Sequence, residues 1–208
     1  MLVLDEFDAL AKMRDDPHEV GEIKRVVNTL LQNLDSRSGT GLTVAITNHD
    51  TLLDSAVWRR FENHIRIDIP DARTRISMLQ AFLGPIDADE DVTKTLAYIV
   101  GDRSGSYLKT FADALKRILA LSHDAITSAN IIRAARALVP RMGVDGDGYS
   151  PARMFVSDEA GFVGSALASG FGIRQESLAQ MFAVTQPTIS RYKKEFAKRG
   201  LAESGSHA

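Results

Sequence analysis

The chain enters an apolar run at its first residues, Met1-Leu2-Val3-Leu4, and ends that run on two adjacent acids, Asp5-Glu6. A short apolar run bounded by charge reads as a buried strand whose carboxylates sit at its carboxyl end. A strand buried on both faces requires neighbours on both sides, so the sheet must be completed by other segments. The order of the segments that follow, strands alternating with helices and then helices alone, sets the expected fold class as α/β with a partial parallel sheet.

Two later segments read as strands. Leu42–Thr47 is apolar and stops at Asn48, and Ile65, Ile67 and Ile69 alternate with polar residues until Pro70 ends the run. Asp16-Pro17-His18-Glu19 carries a helix-start signature: an Asp cap, Pro at the first helical position and Glu three residues after the cap. Val20, Ile23, Val27, Leu30, Leu31 and Leu34 follow at helical spacing, and Ser36–Gly41 reads as a turn. Beyond Pro70 the spacing is helical throughout. Asp71 caps a segment carrying Ile76, Leu79, Phe82 and Leu83. Val92, Leu96 and Ile99 form a second segment stopped by Gly101. Leu108, Phe111, Leu115, Ile118 and Leu119 form a third, and Ile131, Ala135 and Leu138 a fourth. Strands alternate with helices first, and helices alone follow. The expected organisation is a partial α/β core over 1–70, a helical subdomain over 71–139, a Gly-, Asp- and Pro-rich linker over 140–156 and a final helical region over 157–208.

Three local patterns point to phosphate chemistry. Asp5-Glu6 could hold a magnesium ion through water on one carboxylate and polarise an attacking water with the next. Asn48, at the end of another strand, could hold the same water and touch a γ-phosphate, because ligands of parallel sheets collect at the carboxyl ends of the strands. Arg59-Arg60, between Trp58 and Phe61, supplies permanently charged planar groups suited to a transferring phosphoryl group. Taken singly, each has a plainer reading: solvated acids at a strand end, an Asx-turn residue, a basic surface turn. Their order and spacing carry the functional one.

In that order the segments resemble AAA ATPases of the classic clade, which includes spastin- and katanin-like proteins. Leu2-Val3-Leu4-Asp5-Glu6 resembles the Walker B strand and Ala45-Ile46-Thr47-Asn48 resembles sensor 1. Leu52–Glu62 resembles the second region of homology, and Arg25–Leu31 with Leu34-Asp35 resembles the helix between the motifs. Gly101-Asp102-Arg103-Ser104-Gly105-Ser106-Tyr107-Leu108 is similar to the lid motif that packs near adenine. The resemblance, over residues 1 to 138, implies a P-loop-type parallel sheet with an all-α lid, and the cofactors ATP and Mg2+. It implies that Asp5 assists magnesium, Glu6 activates water, Asn48 acts as sensor 1, Gly105 lies by the nucleotide and Arg60 is an arginine finger reaching a neighbouring subunit. A finger supplied in trans implies a homo-oligomeric ring.

The sequence also departs from that pattern. The arginines are adjacent, not spaced, and Ser106-Tyr107 stands where Ala-Asp is usual. No Gly-x-x-x-x-Gly-Lys-Ser/Thr occurs in the chain, and Ser38-Gly39-Thr40-Gly41 has no lysine and follows the wrong element. Phosphate affinity in this architecture comes mostly from P-loop amides and lysine. The expectation is a C-terminal piece of an ATPase, or a product read from an internal Met, which does not hydrolyse ATP alone.

A separate pattern lies near the C-terminus. Gln175–Tyr192 resembles a bacterial helix-turn-helix, with Ala179 small at a helix crossing, inner positions Leu178, Phe182, Val184 and Ile189, and Ala183 where Gly often stands. Gln186, Thr188, Ser190 and Arg191 would face base edges or phosphates, and Lys193, Lys194, Lys198 and Arg199 the backbone. Six basic residues against two acids between Arg174 and Arg199 give a local +4, whereas the whole chain of 208 residues is −2. Any nucleic-acid surface is therefore local. The same pattern also suits an ordinary charged helical bundle.

The chain has no cysteine, which excludes disulfides, a thiol nucleophile and thiolate zinc sites. Its apolar runs are far below the ~18 residues of a membrane helix, and Met1–Leu4 is too short for a signal h-region. A cytoplasmic protein with no membrane association is expected. Asp145-Gly146-Asp147-Gly148 lacks the closing Glu of a calcium loop. The combined expectation is a remodelling ATPase module with a DNA-binding helix-turn-helix. The alternative is a non-enzymatic DNA-binding regulator that keeps the ATPase remnant as an interaction surface.

Overall fold

The computed structural model describes residues 1–8, 22–36, 41–53, 55–86, 88–143 and 150–204. These form two compact units, 1–67 and 68–208. The expected helix start at Asp16–Glu19, most of the Ser36–Gly41 turn and Asp145–Gly148 lie outside the described residues.

The first unit contains β1 (Leu2–Leu4), α1 (Glu22–Ser36), β2 (Thr43–Ala45), a 3-10 turn (Asp50–Leu52) and the short α2 (Ser55–Trp58). The two strands are parallel, with Leu2, Val3 and Leu4 opposite Thr43, Val44 and Ala45. Parallel pairing needs a crossover between the strands, and α1 falls within it. Phe7, Leu31 and Val57 are buried, with Leu4, Leu30, Leu34, Ala45, Leu53 and Phe61 packed against them. The helical spacing read for Leu30, Leu31 and Leu34 thus reflects a face turned to this core.

The expected third strand is absent: residues 63–70 form no strand, and Ile65 and Ile67 are 85% and 92% exposed. Strand state depends on ladder partners. The described sheet has two strands, ordered β1-β2, and gives this segment none. Alternation alone fixes which side chains would share a face, not whether a neighbour exists to pair with.

The second unit is helical: α3 (Ala72–Leu83), α4 (Glu90–Val100), α5 (Gly105–Ser122), α6 (Ser128–Leu138), α7 (Pro151–Ser157), α8 (Glu159–Ala168), α9 (Gln175–Met181) and α10 (Gln186–Ser204). Side-chain oxygens of Asp71, Ser104 and Thr127 accept from the amides of Thr74, Tyr107 and Asn130, capping α3, α5 and α6. At sites like Ser104 and Thr127 such a cap contributes about 1 kcal/mol. Gly101 ends α4 at φ 67°, a region that glycine enters without steric penalty. One apolar cluster runs from Leu79 to Ile189 and includes Leu96, Phe111, Ile131, Phe155, Phe162 and Leu178. Met154 and Phe155 are buried in it. α8 lies against α10 at Gly164, where an added Cβ would overlap the Cβ of Phe196. No described helix is long and apolar enough to cross a membrane.

Candidate functional site

The parallel register brings the ends of β1 and β2 to one edge. The ladder continues past the strands as Ile46 N–H donates to Leu4 O at 2.8 Å and Phe7 N–H donates to Ile46 O at 2.9 Å. Asp5 and Glu6 lie between those two bonds and are looped out of the ladder, both exposed. Glu6 adopts φ 51°, a left-handed conformation that costs a non-glycine residue about 1–2 kcal/mol. Asp5 Oδ1 accepts from Glu6 N–H at 2.9 Å and supports the loop. On the adjoining strand end, Thr47 Oγ1 donates to the buried Asp8 at 3.0 Å and accepts from His49 N–H at 3.0 Å. Those two bonds bracket Asn48, which is exposed. Sequence reading missed Asp8 as the residue that fixes this edge. Its signal is a third carboxylate following Asp5-Glu6 in one short run.

Arg60 is reached from the same core. Phe61 packs edge-on against Phe7, ring centroids 5.8 Å apart, so the residues after Glu6 and after Arg60 share one aromatic contact. The Arg60 guanidinium forms a two-pronged pair with Asp35 at the end of α1, Nε to Oδ1 at 2.8 Å and a terminal nitrogen to Oδ2 at 3.0 Å. The Arg60 side chain is 17% exposed, whereas Arg59 is exposed. Asp35 was visible in sequence as part of a motif, but its partner was not.

Gly105 belongs to the second unit. It opens α5 under the Ser104 cap, against Met78 of α3. The turn before it is tied back to α3: Arg75 donates to Asp102 at 2.6 Å and to Pro70 O at 2.9 Å. Arg75 Nε is buried with no hydrogen-bond partner among the described residues.

In the C-terminal pair, Phe182–Thr185 joins α9 to α10, and Ala183 sits at φ 52°. Leu178 and Ile189 are fully buried, and Phe182 and Val184 pack against the cluster. Gln186, Ser190, Arg191 and Lys194 are exposed. Thr188 is half-buried, its hydroxyl 3.0 Å from that of Thr185. Beneath the start of α9, Asp91 of α4 is 2% exposed and accepts from Ser177 Oγ at 2.5 Å and Arg174 Nε at 2.6 Å. Burial opposes the charge on Asp91, yet the bonds from Ser177 and Arg174 outweigh it and hold the carboxyl below its usual range. Arg136 stacks over Phe155 and Phe182, at 5.2 and 5.3 Å, and pairs with Glu159.

Residues 1–69 match the family described as ATPase family associated with various cellular activities (AAA). An uncharacterized AAA family ATPase of Sinorhizobium fredii is 49% identical over 72 residues, 35% of this chain and 22% of that protein. A putative 26S proteasome regulatory subunit homolog of Methanothermobacter thermautotrophicus is 30% identical over 137 residues, 63% of this chain and 37% of that protein. ATP-dependent zinc metalloprotease FtsH 4 of Synechocystis is 29% identical over 149 residues, 67% of this chain and 24% of that protein. The chain therefore spans well under half the length of these relatives.

Proposed function

With AAA-family sequence over residues 1–69 as premise, we propose that the first unit carries the water-activating and phosphate-sensing edge of an AAA-type ATPase site. The observation that supports this most is the loop of Asp5 and Glu6, out of the ladder and beside Asn48 at the carboxyl end of two parallel strands. The strained φ of Glu6 is retained where an exposed carboxylate is presented, the pattern expected when backbone strain serves a site.

The donor set suits Mg2+ and ATP. Magnesium usually keeps several waters and takes one or two carboxylates together with substrate phosphates, so a single acid such as Asp5 suffices. Bound Mg2+ and ATP would supply charge neutralisation and the phosphoryl group to be cleaved. Glu6 then orients a water and accepts its proton, and Asn48 donates its amide toward the water or the γ-phosphate. Arg60 acts in trans in a homo-oligomeric ring, once its guanidinium exchanges Asp35 for phosphate. The helix pair α9–α10 binds DNA, with Gln186, Thr188, Ser190, Arg191 and Lys194 facing it. The whole activity is remodelling of a partner driven by ATP.

The sequence contains no Gly-x-x-x-x-Gly-Lys-Ser/Thr to anchor the γ-phosphate. The purified 208-residue chain is therefore expected to give no ATP turnover. Fusion behind an AAA segment carrying that loop is expected to restore turnover, which Glu6→Gln then lowers by about 10²–10⁴. No turnover from a folded, nucleotide-binding fusion would sink the ATPase reading. A second reading, a non-enzymatic DNA-binding regulator, is favoured by the Arg60–Asp35 pair, which occupies the guanidinium within the chain. It expects DNA binding that is indifferent to Glu6 and to ATP.

A further inference from the structure

The basic residues from Arg174 to Arg199 are not equivalent. Arg174 donates to the buried Asp91 at 2.6 Å, and Arg199 donates to Asp158 at 2.6 Å. Asp158 also accepts from Gly161 N–H at the start of α8, and that bond, opposed by burial and aided by Arg199, keeps its carboxyl low. Both arginines thus fasten the helix pair to elements beneath it. Arg191, by contrast, lies over the Tyr192 ring at 5.6 Å and has an exposed contact with Glu195 at 3.8 Å, and such a pair yields readily to another anion. Lys193, Lys194 and Lys198 are exposed with no ion pair among the described residues.

The helical repeat sorts these groups spatially. Ile189 is fully buried, Tyr192 and Phe196 are half-buried, and Phe196 lies against Gly164, so these three mark the packed face of α10. At 100° per residue, Arg191, Lys194 and Lys198 fall on the opposite face in one row, at i, i+3 and i+7, whereas Lys193 falls beside the packed face, about 40° from Ile189. The row is about 10 Å long from its first to its last residue. A straight row of cations fits a linear polyanion better than a compact acidic patch.

Resting on the DNA reading above, we infer that duplex DNA is gripped through three phosphate contacts, Arg191, Lys194 and Lys198, while Arg174 and Arg199 are positioning residues withheld from the nucleic acid by Asp91 and Asp158. The local +4 therefore overstates the electrostatic footprint. Each neutralised phosphate contributes about 0.9 to the slope of log affinity against log salt, so the slope is about −2.7 and not the about −5.4 that all six basic residues would give.

The test is fluorescence anisotropy of the full chain with a labelled random-sequence duplex, titrated across about 50–200 mM salt. Lys194→Gln, Lys198→Gln and Arg191→Gln are each expected to lower the slope by about one. Arg199→Gln is expected to leave it unchanged. Arg199 is 55% exposed and its partner Asp158 35%, so this variant is expected to fold and decides the point even if Arg174→Gln does not. A loss of about one unit in Arg199→Gln overturns the partition while leaving DNA binding standing. No binding at the lowest salt overturns the DNA reading itself. Equal affinity for a polyglutamate of matched charge overturns duplex DNA in favour of an acidic protein.

Discussion

Ala183 and Glu6 share a left-handed backbone, at φ 52° and 51°, but for different reasons. Ala183 turns the chain sharply between α9 and α10, where Val184 N–H reaches back to Ala179 O at 3.0 Å. Its methyl group does nothing that requires that conformation, so the steric cost is uncompensated. Ala183→Gly is expected to stabilise the protein by about 1 kcal/mol, raising the Tm by roughly 2–4 °C for a chain of this size. A melt showing no rise would mean that the extra backbone freedom of glycine in the unfolded chain cancels the relief. Glu6 carries the same strain at a position where its carboxylate is presented to solvent. Relief there would remove the group the loop displays.

Elements are held to one another by residues far apart in sequence, and this decides what can be read in advance. Asp71 and Gly101 are legible because a cap or stop acts within a few residues of itself. The parallel pair β1–β2 is legible because both strands are apolar and end on polar residues that converge. Ile65–Ile69 was misread because its alternation resembles a strand, whereas strand state depends on a partner the local sequence does not contain. The bond between Asp91 and Arg174 spans 83 positions and leaves no local signal. Its consequence is measurable. A carboxyl whose folded pKa lies below its ordinary value contributes stability above that ordinary value and loses it as pH falls through the folded one. For Asp91 the loss begins near the unperturbed 3.8 and proceeds below it. Asp91→Ala is expected to cost about 3 kcal/mol near neutral pH, since a buried network loses its acceptor. The gap from wild type should close as pH falls below about 4 in chemical-denaturation curves. A gap that persists undiminished in acid would show that packing, not the charge, is what Asp91 supplies.

At the scale of the molecule the described residues of the two units differ in how much they bury. Three hydrophobic side chains are buried in the described part of the first unit, Phe7, Leu31 and Val57, around a two-stranded sheet. The second unit carries a continuous apolar cluster from Leu79 to Ile189, and the two clusters share no residue. Hydrophobic stabilisation scales with the apolar area removed from water, and a sheet of two strands is marginal without further cover. The first unit should therefore open at lower free energy than the second, in two steps instead of one. The described members of the proposed ATPase edge, Asp5, Glu6 and Asn48, would belong to the less stable part. Native-state hydrogen exchange provides the measurement. The amides of Ile46 and Phe7, which hold the looped-out acids in place, should exchange well before those of Leu96 and Leu115. Equal protection across both sets would mean that the chain unfolds as one cooperative body and that the small core draws its stability from the large one.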